Sequence, residues 1–106
     1  MTSMKKATII FIFTLLICHI KLFALNTKVN TLSALSTAFT AANPGDTITV
    51  LNGTYNWGGV ILTNTKNTST GSWIVLKAET ISGVIFTGNT YLQFSGTRVL
   101  VDKSFL

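Results

Sequence analysis

Hydrophobic residues occur first as one unbroken run, Ala7 to Cys18, and from there on only in short periodic groups. Leu32, Leu35, Phe39 and Ala42 recur at three- and four-residue intervals, the spacing of one helical face, with Ser33, Ser36, Thr37 and Thr40 on the other. This predicts a short amphipathic helix over Thr31 to Ala42. Asn43-Pro44 stops it, because the residue before proline avoids the α region, and Pro44-Gly45 ahead of Asp46 suits a tight turn. Beyond the turn the period changes to that of strands. Thr47 to Leu51 alternates cleanly and runs into Asn52-Gly53, a turn signal. Further strands are predicted at Gly59–Thr63, Trp73–Ala78, Val84–Thr87, Tyr91–Ser95 and Val99–Val101, with a polar loop from Asn64 to Ser72.

Strands of three to five residues separated by Gly, Asn, Thr and Ser fit a sandwich or a solenoid. Their shortness favours the solenoid. So do the large apolar side chains at the inward candidates Ile48, Val50, Ile74, Leu76, Val84, Phe86, Leu92 and Phe94, and a helix placed where an open solenoid end needs a cap.

The first apolar run changes the meaning of the composition. Lys5 and Lys6 before it and Leu22-Phe23-Ala24 after it match a secretory signal peptide over residues 1–24, with the mature chain starting at Leu25. A membrane anchor fits less well, since His19 and Lys21 break the run short of the roughly 20 residues a span needs. Lipidation at Cys18 is disfavoured by bulky Ile17. The formal net charge is +5, and Lys5, Lys6 and Lys21 carry three of those charges. Residues 25–106 keep Lys28, Lys66, Lys77, Arg98 and Lys103 against Asp46, Glu79 and Asp102, too weak a balance to point to nucleic acid. They also lack Cys, His and Met, which excludes disulfides, thiol or imidazole catalysis and Cys/His zinc sites there.

Three blocks carry a resemblance. They are Ala41-Ala42-Asn43-Pro44-Gly45-Asp46-Thr47-Ile48 with Asn52-Gly53-Thr54-Tyr55, then Ile74-Val75-Leu76-Lys77-Ala78-Glu79-Thr80, then Val84 through Gly96. In this order and spacing the chain resembles the chondroitinase B family of polysaccharide lyases, which includes many alginate lyases, over about Leu32 to Phe105. Trp73, where the family usually has proline, and Lys103, where it tends to have glycine, depart from the pattern. The resemblance implies an all-β fold: the N-terminal coils of a right-handed single-stranded parallel β-helix over residues 25–106, with a short capping α-helix. It further implies β-elimination on an anionic, uronic-acid polysaccharide, alginate first and dermatan sulfate second, with calcium, a lysine base and an arginine from coils further along the helix. No catalytic, cofactor-binding or metal-binding residue is therefore assigned within this chain.

Local candidates have plainer readings. Arg98, Asp102 and Lys103 could form a carboxylate-binding patch, but read as a solvated strand edge and turn. Asp46 and Glu79 are lone acids in turns, short of the six to eight oxygens of a calcium cage. Tyr55, Trp57, Trp73 and Tyr91 could stack on sugar rings, though such residues more often pack or cover turns. Lys77 lies on the outward parity of its strand, and Asn52 and Asn67 head glycosylation patterns.

Three functions remain in view: an inactive N-terminal piece of an exported polysaccharide lyase, a carbohydrate-binding or cell-surface β-helix module, and a structural solenoid without ligand. The mature chain is expected in the periplasm or outside the cell and free of the membrane. An open end carrying Leu100, Phe105 and Leu106 would make it marginally stable and prone to self-association.

Overall fold

The computed structural model describes residues 24–106; the leader expected from the sequence, with Cys18 and His19, lies outside them. The chain forms strand β1 (Asn26–Val29), helix α1 (Leu32–Ala41), and strands β2 (Thr47–Val50), β3 (Gly53–Tyr55), β4 (Gly59–Thr63), β5 (Ile74–Ala78), β6 (Val84–Phe86), β7 (Tyr91–Ser95) and β8 (Val99–Val101). A 3₁₀ turn, Lys103–Phe105, follows. All pairing among these strands is parallel. One sheet runs β1-β2-β5-β8, and two smaller ones pair β3 with β6 and β4 with β7. The chain therefore visits three sheets in the order β2, β3, β4 and repeats that order as β5, β6, β7.

The register explains why no strict repeat is visible in the sequence. Thr47 pairs with Val75, 28 positions on, but Gly53 with Val84 is 31, Gly59 with Tyr91 is 32, and Ile74 with Val99 is 25. The loops absorb the differences, so the stacking is regular while the sequence spacing is not.

Alternation decides the inside. In β5 the pattern is strict: Ile74, Leu76 and Ala78 are buried, Val75 and Lys77 half-exposed. β4 buries Val60 and Leu62 and exposes Gly59, Ile61 and Thr63. With Ile48, Val50 and Val84 they form one core, each large side chain contributing about 1.5–3 kcal/mol on burial. Phe86, Leu92 and Phe94, expected inside, are only half-buried; they belong to the last-visited strands, which have a packed neighbour on one side only. Lys77 points outward as its parity requires.

The helix lies where its apolar stripe demands. Leu35 and Phe39 are fully buried against the strands, flanked by Leu32 and Ala42. Thr31 is its N-cap, the hydroxyl accepting the Ala34 N–H at 3.1 Å. Ten residues are too few for a stable isolated helix, so this packing is what maintains it. The following turn closes with the Asp46 N–H on the Asn43 carbonyl at 3.0 Å, and Gly45 at φ +94° supplies the left-handed residue.

Three elements differ from expectation. β1 has a single buried residue, Val29, and three exposed ones, so its sequence carries no strand alternation; the ladder to β2 creates it. Asn52-Gly53 makes a bend rather than a reversal, and Gly53 opens β3. Phe105, expected on an open end, turns inward and stacks on Phe86 at 6.1 Å because the 3₁₀ turn folds the chain back. Leu100 and Leu106 are exposed as expected.

Gly96 tests how tightly the circuits approach. It has φ +138°, and a Cβ placed there would lie 2.8 Å from the Asn64 backbone carbonyl oxygen. Main chain cannot swing aside as a side-chain tip can. Gly96→Ala is expected to lower the unfolding free energy by about 2 kcal/mol, strain at the φ and the clash adding together. Urea titration with an unchanged m-value and a lower midpoint would bear this out.

Candidate functional site

The chain has three acidic residues between 24 and 106, and each is committed to backbone donors. Asp46 accepts the Leu25 N–H at 3.0 Å on Oδ1 and the Asn43 N–H at 2.9 Å on Oδ2. Glu79 accepts the Asn52 N–H at 3.0 Å, tying the β5–β6 corner to the β2–β3 corner beneath it. Asp102 is the N-cap of the 3₁₀ turn, accepting the Ser104 N–H at 2.8 Å. Among the described residues no three His, Cys, Asp or Glu side chains come together as a metal site would need. These carboxylates do not fit calcium, whose cage takes six to eight oxygens.

Arg98, Asp102 and Lys103 are not one patch. Arg98 sits at φ +53° in the turn before β8, its guanidinium 5.4 Å from the Trp73 ring centroid and its Nε–H donated to the Ser69 carbonyl. Asp102 instead bonds the Ser104 N–H, with the charges of Lys77 and Lys103 acting on it from further off. Its carboxyl is held below the usual aspartate range, first by the Ser104 backbone N–H, then by the Ser104 hydroxyl, with the two lysines adding a smaller effect in the same direction. A depressed pKa means the interaction is complete above the unfolded aspartate range and is lost as pH falls through the lower folded value. Protection of the Ser104 amide relative to its intrinsic exchange rate is accordingly expected to fall in acid below the ordinary aspartate range, and Asp102→Asn to remove that acid dependence; hydrogen exchange across pH, corrected for the intrinsic rate, measures it.

The four aromatic candidates divide. Tyr55 and Trp57 are half-buried and in contact at 4.6 Å, with Phe86 5.5 Å from Trp57, and the Tyr55 hydroxyl donates to the Leu51 carbonyl at 2.7 Å. They are packing residues. Trp73 is 47% exposed just before β5, whereas Tyr91, also exposed, opens β7 in another sheet. The exposed rings therefore form no row. Trp73 beside Arg98 is the one pairing of an exposed aromatic face with a cation among the described residues, and it suits an anionic sugar.

Two asparagines in the Asn64–Ser72 loop have roles that the sequence does not indicate: Asn64 has no signal beyond its place in a polar loop, and Asn67 only a glycosylation pattern. Asn64 is 4% exposed and fully satisfied. Its Nδ2 donates to the Phe39 and Ala42 carbonyls at 2.8 Å each, and its Oδ1 accepts the Lys66 and Asn67 N–H groups at 3.0 and 2.9 Å. It ties the C-terminal end of α1 to the loop. Asn67, also buried, donates to the Thr97 and Arg98 carbonyls at 2.5 and 2.8 Å and so holds the turn that presents Arg98. Its Oδ1 is buried without a partner. Asn67 thus heads a glycosylation pattern in a fold that encloses it, while Asn52 is exposed. A groove of about 530 Å³ lined by Ser36, Thr37, Thr40, Ala41 and Lys66 runs along the polar face of α1, bearing hydroxyls and one ammonium group.

Among the described residues, then, no acid–base pair is assembled, and what remains is a surface rich in hydroxyls and amides with a few cations. A search of curated proteins finds no match to the sequence. The sequence model of the Chondroitinase B family matches residues 29–106, from the last residue of β1 through the final 3₁₀ turn. That span includes the helix and every strand after β1, and the chain belongs to the Chondroitinase B family.

Proposed function

We propose that this chain is the N-terminal part of an exported polysaccharide lyase that cleaves a uronic-acid polymer by β-elimination, alginate being the first candidate and dermatan sulfate the second. The family match over residues 29–106 carries the reading. In the proposed reaction a base removes the proton α to the sugar carboxylate, the 4-linked oxygen leaves, and a double bond forms between C4 and C5 of the ring. The developing charge on the carboxylate must be neutralised for that proton to be removed. The reading assigns both tasks to residues further along the fold than those matched here, with calcium supplying the neutralising charge. Asp46, Glu79 and Asp102 take no part, being committed to backbone donors. The three parallel sheets are read as successive faces of a right-handed β-helix capped by α1. The repeated sheet order supports this.

The test is ultraviolet absorbance of the unsaturated product. Residues 25–106 alone are expected to give none with alginate or dermatan sulfate, and a longer product carrying them to give a steady rise. Absorbance growing with the segment alone would overturn the placement of the chemistry, and saturated ends from the longer product would overturn the lyase reading. A non-catalytic carbohydrate-binding role is the second reading, favoured by the exposed Trp73 with Arg98 over its ring. On that reading Trp73→Ala abolishes retention on alginate gel.

A further inference from the structure

The start of the described chain is held by a buried carboxylate. Asp46 is 7% exposed, and one of its oxygens, Oδ1, accepts the backbone N–H of Leu25 at 3.0 Å. The Leu25 carbonyl in turn accepts the Thr47 N–H at 2.8 Å, so this residue is clamped from both sides where the β1–β2 ladder begins. The other oxygen of Asp46 accepts the Asn43 N–H. Both donors are neutral peptide groups. A carboxylate withdrawn from water is costly without a compensating positive charge, and the observed pairing supplies none.

Leu25 is also the residue that follows Ala24, the small residue that ends the expected leader. We propose that the Ala24–Leu25 bond is the processing site and that the amino group freed on Leu25 becomes the counter-ion of Asp46. The inference rests on the export reading. In the step, a leader peptidase adds water across the bond: the C–N bond breaks, hydroxide goes to the Ala24 carbonyl carbon, and Leu25 nitrogen takes the proton. At neutral pH that nitrogen is an ammonium. It already lies within hydrogen-bond distance of Oδ1, so no rearrangement is needed to convert a neutral hydrogen bond into a charge-assisted one.

The geometry selects one bond. Cleavage one residue later removes the Leu25 nitrogen altogether, and cleavage one residue earlier leaves it a peptide amide. Leu25 and Ala24 are exposed, so the new terminus is not forced into the core; only its charge is received by a buried partner. Removal of the leader thereby tightens the edge strand β1 onto β2, and the fold is firmer in the processed chain than in its precursor.

The test begins with the mass and N-terminal sequence of the exported product. A start at Leu25 is expected; a start elsewhere in the chain overturns the processing site, and an intact Met1 overturns the export reading with it. Asp46→Asn is then made in two exported proteins, one starting at Leu25 and one carrying a single extra residue before it, each start confirmed by mass. The folding constant from urea titration is expected to fall roughly ten-fold more in the Leu25-start protein. Equal losses in the two backgrounds overturn the ion pair. If Asp46→Asn fails to fold, exchange of the Thr47 amide in the two Asp46 proteins decides: it is expected to be slower with the free Leu25 amine, and equal rates overturn the proposal.

Discussion

Replacing Asn64 by alanine is expected to lower the unfolding free energy of the folded chain by about 3 kcal/mol and to loosen α1 before the strands. Asn64 uses both hydrogens of its amide and both directions of its carbonyl, joining the end of α1 to the loop after β4. After truncation the Lys66 N–H can turn to water, but the buried Asn67 N–H and the Ala42 carbonyl lose their partner, at about 1–3 kcal/mol for each orphaned group. Asn64→Asp is expected to be at least as damaging, since it places carboxylate oxygens against the Phe39 and Ala42 carbonyls. Lys66→Ala removes only an exposed contact from Nζ to the Ala41 carbonyl and should stay within about 0.5 kcal/mol. Urea unfolding followed by far-ultraviolet dichroism and by tryptophan fluorescence measures both effects. In Asn64→Ala the helical signal should change at lower urea than the fluorescence.

Asn64 also marks the boundary between what the sequence declares and what only the fold reveals. The helix was legible because Leu32, Leu35, Phe39 and Ala42 keep a 3.6-residue period, and the strands because Ile74, Leu76 and Ala78 alternate with Val75 and Lys77. These are short-range signals, and burial in the structure follows them. β1 was not legible, since Asn26-Thr27-Lys28 has no apolar parity and becomes a strand only through its register with Thr47-Ile48-Thr49. The clasping roles of Asn64 and Asn67 are not legible, because their partners are 22 to 31 positions away, at the end of α1 and in the turn before β8. Trp73 and Arg98 were each legible as candidates; that they meet depends on the ten-residue loop after β4 being stacked on the short turn after β7. By sequence Asp46 is a lone turn acid, and its reach to Leu25 is again a long-range fact.

Phe39→Ala is expected to cost about 3–5 kcal/mol, the range for emptying a buried aromatic site. Phe39 is fully buried on the inner face of α1, its ring 5.6 Å from that of Phe94. It bridges the helix to β7, which in turn pairs with β4. The cavity cannot close by a simple shift of α1 while Asn64 holds the Phe39 and Ala42 carbonyls in place. The two substitutions should therefore not add. With Asn64 intact the helix is pinned over the void and the full cavity cost appears; with Asn64 also replaced, α1 is free to settle toward β4 and part of that cost is recovered. Phe39→Ala with Asn64→Ala is expected to cost at least 0.5 kcal/mol less than the two separate losses combined, within the range found for residues sharing one contact network. Equal sums would mean that the helix is positioned by its apolar face alone and that the asparagine clasp responds to the packing rather than setting it.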